Sequence, residues 1–325
     1  MFIYKYCSLG KEYNEKDFLY ENLEKNQLYF NDSRNFNDPF DSKVKAYAEG
    51  SIGEWSAYFN KHSKDQKSND EFLNLNPNNI SFSEKEMADL FDQIIGFLTC
   101  CFCEENNNIL MWSHYANSHF GVCLSFRVKE NPNSEFGKYE LKLNSKYESL
   151  IEVKYDLTKD KPKRFNILDE KDKLRLPQFL INKSKCWKYE KEHRIILFGD
   201  DATNINKFEK KDLEGVIFGL NTNYKAAEKI SQIIKEKYTS EKCNVKFYIA
   251  TDILVSDECE IKNNECKIKI LEIKDVDWYI RYIKYKQVNR KCFEHLRTKE
   301  PIHITLNYPA MKKGIPADFS QTYYS

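Results

Sequence analysis

Glycine is scarce in this chain, 10 residues in 325, and proline scarcer still at eight. Neither G-x-G-x-x-G nor G-x-x-x-x-G-K-[ST] occurs, so no glycine-rich phosphate loop is legible. Charge of one sign is missing too. The 51 Lys and Arg balance the 50 Asp and Glu to a net +1. That excludes broad electrostatic capture of nucleic acid or anionic membrane and leaves room for a local basic patch. No stretch approaches 18 uninterrupted apolar residues, so no membrane span is expected. Met1-Phe2-Ile3-Tyr4-Lys5 lacks the basic start and long apolar run of a secretory signal, which points to a cytoplasmic protein.

What is abundant is aromatic: 21 Tyr and 22 Phe, ample material for a core. The hydrophobic share of 41% and the charged share of 31% suit a globular chain. Ten cysteines are present, yet a chain this long needs no disulfide scaffold, and reduced thiols are expected. Cys100-Cys101-Phe102-Cys103 reads as small buried residues of a strand, and no metal site is expected.

Periodicity gives a coarse map. Strands are expected at 2–8, 27–30, 97–104, 120–127, 150–155, 213–220 and 245–249, with an alternating run at 266–273. Helices are expected at 15–25, 83–96, 108–117, 170–185 and 224–238, and a loop around 68–79. The fold class is therefore α+β, a mixed, largely antiparallel sheet with flanking helices.

The most informative stretch is Trp187–Arg194, W-K-Y-E-K-E-H-R, running into Ile195-Ile196-Leu197-Phe198. If extended, it sets Glu190, Glu192 and Arg194 on one face and Lys191 and His193 on the other. Two acids and a base at one edge position a sugar hydroxyl and stabilise a cation; a solvated strand entrance is the bland alternative. Trp187 and Tyr189 bracket Glu190, either to desolvate it or as packing anchors. Asn37-Asp38-Pro39-Phe40-Asp41 is a rigid turn, in which Asp38 or Asp41 either bonds its own backbone or reaches a ribose or acceptor base. On the helix at 108–117, Trp112 and Tyr115 share a face, either walling a base pocket or packing as core. His114 is a further site candidate, and His119 sits at the helix end, where a cationic His is favourable. The five-residue spacing of these two histidines misses the i,i+4 geometry of a shared metal.

Three boxes in this order resemble the domain-of-unknown-function 2971 family: L-Y-F-N-D-S-R-N-F-N-D-P-F-D at 28–41, I-L-M-W-S-H-Y-A-N-S-H-F-G-V-C-L-S-F at 109–126, and W-K-Y-E-K-E-H-R at 187–194 with Lys183 upstream. The resemblance spans about 1–250, with a helical insertion at about 45–95, and leaves 251–325 as a C-terminal extension. A strand, a helix, a second strand and a late E-x-E also resemble the ADP-ribosyltransferase superfold. That resemblance implies an ADP-ribosyltransferase-like core with NAD as substrate. Glu192 would be the carboxylate on the nicotinamide ribose and Glu190 the acceptor-side one, with Arg194 forking the diphosphate or clamping Glu192. Tyr4, Lys5 and Tyr6 occupy the region of the superfold's cofactor-holding Arg or His, though the residue types differ. The implied function is an NAD-dependent transferase or NAD glycohydrolase acting as a toxin or phage-defence effector, on a nucleic-acid or protein acceptor. Two alternatives stand beside it: a nucleic-acid-binding or processing module with Lys183, Lys185, Lys188 and Arg194 as contacts, and a non-catalytic sensor.

Overall fold

The computed structural model describes residues 1–36, 38, 41, 45–62, 70, 80–82, 97–134, 137–155, 164–166, 168–169, 180–198, 202–238, 243–251 and 267–297. The strands, in chain order, begin with β1 (Phe2–Cys7), β2 (Gln27–Tyr29), β3 (Asn31–Asp32), β4 (Lys45–Gly50), β5 (Ile80–Phe82) and β6 (Phe97–Cys103). Next come β7 (Val122–Arg127), β8 (Lys129–Glu130), β9 (Tyr139–Leu143), β10 (Lys146–Glu152), β11 (Lys154–Tyr155) and β12 (Arg164–Asn166). The last are β13 (Asn182–Lys183), β14 (Glu192–Phe198), β15 (Ile205–Lys207), β16 (Leu213–Phe218), β17 (Lys246–Thr251) and β18 (Lys269–Ile273). Five helices carry labels: α1 (Phe18–Glu24), α2 (Ile52–His62), α3 (Ile109–Tyr115), α4 (Tyr224–Lys237) and α5 (Val276–Arg297). The result is an α+β fold with a large mixed, mostly antiparallel sheet. Among the described residues no helix is long and apolar enough to cross a membrane.

The chain divides into two compact units. Unit 1 holds Met1–Lys5, Lys25–Glu105 and Ser125–Leu213. Its spine is β6 and β14, paired antiparallel over seven residues from Glu192↔Cys103 to Phe198↔Phe97. β10 lies on the far side of β14, with Ile151 opposite Arg194 and Glu152 opposite His193. β9 and β10 close a hairpin at Asn144-Ser145, both left-handed (φ 46° and 71°). Two consecutive positive φ values match the twist of a tight hairpin, and Asn tolerates them. One face is apolar: Phe102, Phe126 and Phe208 stack edge to face at 5.9 and 5.2 Å, so the sheet is held largely by burial of large rings.

Unit 2 holds Tyr6–Glu24, Asn106–Leu124 and Glu214–Ser325. There β16 runs parallel to β17, and β18 pairs antiparallel with β17, Ile249 opposite Leu271. Asn108 caps α3 by accepting the Leu110 N–H at 2.9 Å, and Asn223 caps α4 by accepting that of Lys225 at 2.9 Å. Each satisfies an otherwise orphaned donor, a contribution of about 1 kcal/mol. α4 buries Ala226, Ala227, Ile230, Ile233 and Ile234, one helical stripe. Residues 267–297, from the segment beyond 250, supply β18 and α5.

Several expectations are corrected. Residues 180–185 are not helical: Asn182–Lys183 form β13, parallel to β11, and Lys185–Glu190 wind into a 3₁₀ turn. Trp187–Glu190 is therefore not extended; the strand starts at Glu192, after Lys191 turns left-handed (φ 45°). Over 180–184 the short β11–β13 pairing satisfies the backbone where helical bonds were expected. The segment at 45–50 is a strand, and α2 is a helix of the insertion among the described residues. The expected helix at 83–96, the loop at 68–79 apart from Asp70, Asn37, and residues 170–179 of the expected helix lie outside the described residues.

Candidate functional site

Five charged side chains named from the sequence meet inside unit 1: Asp41, Lys183, Glu190, Glu192 and Arg194. All five are buried, Glu190 to 2%, Glu192 to 5% and Arg194 to 0% exposure. The elements explain the convergence. Alternation along β14 puts Glu192 and Arg194 on one face, opposite Cys103 and Cys101 of β6. The 3₁₀ turn and left-handed Lys191 fold Glu190 back onto the same cluster. β13 brings in Lys183, opposite Tyr155 of β11.

Arg194 spends all five of its N–H donors. Nε donates to Glu192 Oε1 at 2.7 Å, and Nη2 to Glu192 Oε2 at 3.0 Å and Asp41 Oδ2 at 2.5 Å. Nη1 donates to Asp41 Oδ1 at 2.8 Å and the Leu180 carbonyl at 2.6 Å. The fork geometry of a guanidinium suits such two-carboxylate bridging. No N–H of Arg194 remains for a diphosphate in this arrangement.

Lys183 Nζ donates to Glu190 Oε2 at 2.5 Å and to Glu192 Oε2 at 3.1 Å, and lies 3.5 Å from Asp41 Oδ2. It also sits 4.9 Å from the Trp187 ring centre, a cation–π contact. One ammonium is thus shared by three carboxylates. Burial pulls the Lys183 pKa down, but the charges of Glu192, Glu190 and Asp41 outweigh it and raise the pKa. Burial likewise pushes the Glu192 carboxyl up, yet Arg194, then Lys183 and the Cys101 thiol, hold it at about 2. The Glu192 amide donates to Tyr155 Oη at 2.9 Å.

The opposite face of β14 carries different pairs. His193 Nε2 meets Glu104 Oε1 at 2.9 Å, and Lys191 Nζ donates to Glu105 Oε1 at 2.7 Å. The expected separation of Glu192 and Arg194 from His193 is therefore seen. Asp38 is buried, and its carbonyl accepts the Asp41 N–H at 3.1 Å. Tyr4 shares a cross-strand row with Glu192, through Cys103. Lys5 Nζ donates to the Cys101 carbonyl at 3.3 Å.

Other candidates fall in unit 2 and form a separate group. Trp112 is fully buried, donates Nε1 to the Asn106 carbonyl at 2.8 Å, and meets Tyr6 edge-on at 5.1 Å. His119 stacks on it at 6.1 Å, and burial lowers the His119 pKa, favouring the neutral ring over the expected cation. His119 is not at the helix end; α3 stops at Tyr115, and Asn117, Ser118 and His119 all take left-handed φ (45°, 54° and 68°). Gly219 permits this path, since a Cβ there would lie 2.2 Å from the His119 carbonyl. Tyr115 is half-buried, and exposed His114 lines a surface hollow of about 350 Å³ with Asp17 and Asn117.

Cys101 and Tyr155 were not singled out from the sequence. Long-range pairing brings in both, Cys101 opposite Arg194 and Tyr155 opposite Lys183, and no local pattern encodes either. Lys183 and Arg194 are buried in the ion cluster, so neither is a surface contact for nucleic acid. Cys100 and Cys103 face opposite sides of β6 and cannot share a metal; among the described residues no group of three or more His, Cys, Asp or Glu is arranged to hold one.

A five-member ion cluster inside a mixed α+β sheet defines a protein with a carboxylate-rich interior. Residues 111–195, which include Lys183, Glu190, Glu192 and Arg194, match the family described as a protein of unknown function (DUF2971). No curated protein and no solved structure matches the chain.

Proposed function

We propose that unit 1 carries a glycosyl-transfer site of the ADP-ribosyltransferase type that uses NAD as substrate. One observation carries this reading: the Oε2 atoms of Glu190 and Glu192 hold a single ammonium between them, at 2.5 and 3.1 Å. Acids placed to hold one cation are placed to stabilise another. Breaking the bond from ribose C1′ to nicotinamide sends the electron pair out with nicotinamide and leaves an oxocarbenium-like ribose. A fixed, ionised carboxylate stabilises that charge, and such preorganised electrostatics is often the largest catalytic term. Glu192, its pKa held near 2 by Arg194 and Lys183 against burial, is ionised at neutral pH. In this reading it faces the ribose. Glu190 takes the proton from the acceptor hydroxyl, amine or water as the new bond forms at C1′. Lys183 leaves the pair when the ribose arrives. Tyr4, in the row of Glu192, supports the assignment of the β1 region to the substrate. The effector role in a toxin or phage-defence system belongs to the same proposal, with growth arrest on expression as its readout.

The test is release of nicotinamide from NAD by the full chain, alone and with RNA, DNA and protein acceptors. Release that falls at least 100-fold in Glu192→Gln supports the reading. No release with any acceptor contradicts it.

A second reading is favoured by the saturation of Glu192, whose oxygens accept from Arg194 twice, from Lys183 and from Cys101. Here the cluster is a static lock joining β13, β14 and Asp41 in a non-catalytic sensor or binding protein. In that case Glu192→Gln lowers stability while wild type and variant alike leave NAD intact.

A further inference from the structure

We propose that unit 2 binds single-stranded RNA along the outer faces of α4 and α5. The inference is independent of the NAD reading. α5 has two apolar stripes. Val276, Tyr279, Ile280 and Ile283 are buried, as expected of a packed helix face. Trp278, Tyr282, Tyr285 and Val288 form a second stripe; Trp278 is 37%, Tyr285 47% and Val288 45% exposed. Trp278 and Tyr282 lie parallel, 5.4 Å apart and 6° between planes, on this outer face.

Cations flank these rings. Arg281 and Lys284 are exposed, Lys286 Nζ lies 4.8 Å from the Tyr282 ring centre, and Lys284 Nζ lies 5.5 Å from that of Tyr224. On α4, Lys225 Nζ lies 5.9 Å from the Tyr13 ring centre. Tyr13, Tyr224, Lys225, Lys229 and Lys284, with Glu228, line a hollow of about 310 Å³. Over 276–289, where the side chains are described, α5 carries Arg281, Lys284 and Lys286 against Asp277. The excess of cations is local, because the whole chain carries only +1.

Flat aromatic surface interleaved with Lys and Arg is what an unpaired polynucleotide engages: bases stack on the rings, and phosphates meet the cations. A duplex hides its base faces, so exposed stacking rings favour a single strand, and long single strands are mostly RNA. A membrane surface would seat a continuous apolar face. Here Arg281 interrupts the stripe, and Val288 is its only aliphatic member.

The experiment is fluorescence anisotropy of a labelled 12-nucleotide single-stranded RNA with the full chain, without NAD, across a salt series. Binding should weaken steeply with salt, about 0.7 in log–log slope per phosphate contact. The double variant Lys225→Glu/Lys284→Glu should weaken binding tenfold or more and flatten the slope. Trp278→Ala should weaken binding at least about fivefold, the low end of base–aromatic stacking, and leave the slope unchanged. Unchanged circular dichroism would confirm that these exposed positions do not disturb the fold. The proposal is overturned by any of four results: no salt-sensitive binding of the wild type, variants that bind as tightly as wild type, tighter binding of the same sequence as DNA, or binding of phosphatidylserine vesicles or a second copy of the chain in place of RNA.

Discussion

In unit 1 the decisive charges point inward and are consumed by one another; in unit 2 they lie outward above aromatic rings. Arg194 donates to two carboxylates and a carbonyl in a buried interior, whereas Lys284 and Lys286 rest over Tyr224 and Tyr282 at the surface. The same residue types therefore carry different physics. Breaking one member of a buried pair strands a charge, while exposed cations contribute little to stability.

Removing Arg194 should break this contrast most visibly. Arg194→Met leaves Lys183 facing three buried carboxylates, Asp41, Glu190 and Glu192. Urea unfolding should show a loss of about 3–5 kcal/mol, or outright failure to fold. Replacing Lys225 and Lys284 should leave the unfolding midpoint in place. An equal loss in both would erase the distinction between the units.

Acid should act next, and on unit 1. The Glu192 pKa is lowered on folding, from 4.5 to about 2, so its contribution is present above about pH 4.5 and fades as pH falls towards 2. Lys183, whose pKa is raised on folding, loses its contribution only above the ordinary lysine range. Thermal melting followed between pH 2 and 9 should therefore fall on the acid side and stay level from about 5 to 9. In Glu192→Gln this acid fall should be smaller.

The smallest expected effect is on thiol reactivity. Burial raises the Cys101 and Cys103 pKa values, keeping both as thiols, whereas Cys186 is exposed. Iodoacetamide followed by peptide mapping should modify Cys186 and leave Cys101 and Cys103 untouched until the protein unfolds. Early modification of Cys101 would mean that the cluster face of β14 opens readily.

Much of the frame was legible in the sequence because period and burial agreed. The apolar run at 97–104 became β6, the stripe at 224–238 became α4, and the helix expected at 108–117 became α3. The box at 187–194 was read correctly in which charges gather, since alternation holds from Glu192 onward. Its path was misread, because a 3₁₀ turn over Lys185–Glu190 and left-handed Lys191 precede the strand where alternation had assumed extended chain. The β9–β10 hairpin carried a signal that went unused, Asn144-Ser145 between alternating segments. α5 was missed for a physical reason: aromatic side chains on both its buried and exposed faces blur the helical period. Asp41 meets Arg194 across 153 positions, a contact no local pattern encodes.

The role proposed for the Glu190–Glu192 pair is to stabilise a cation formed from NAD. Chromatographic quantification of nicotinamide tests it most directly, comparing wild type, Glu192→Gln and Glu190→Gln at matched folded concentration. Wild type should form product that rises linearly with time, and Glu192→Gln should form none. Intact NAD in every sample, across all acceptors offered, would contradict it.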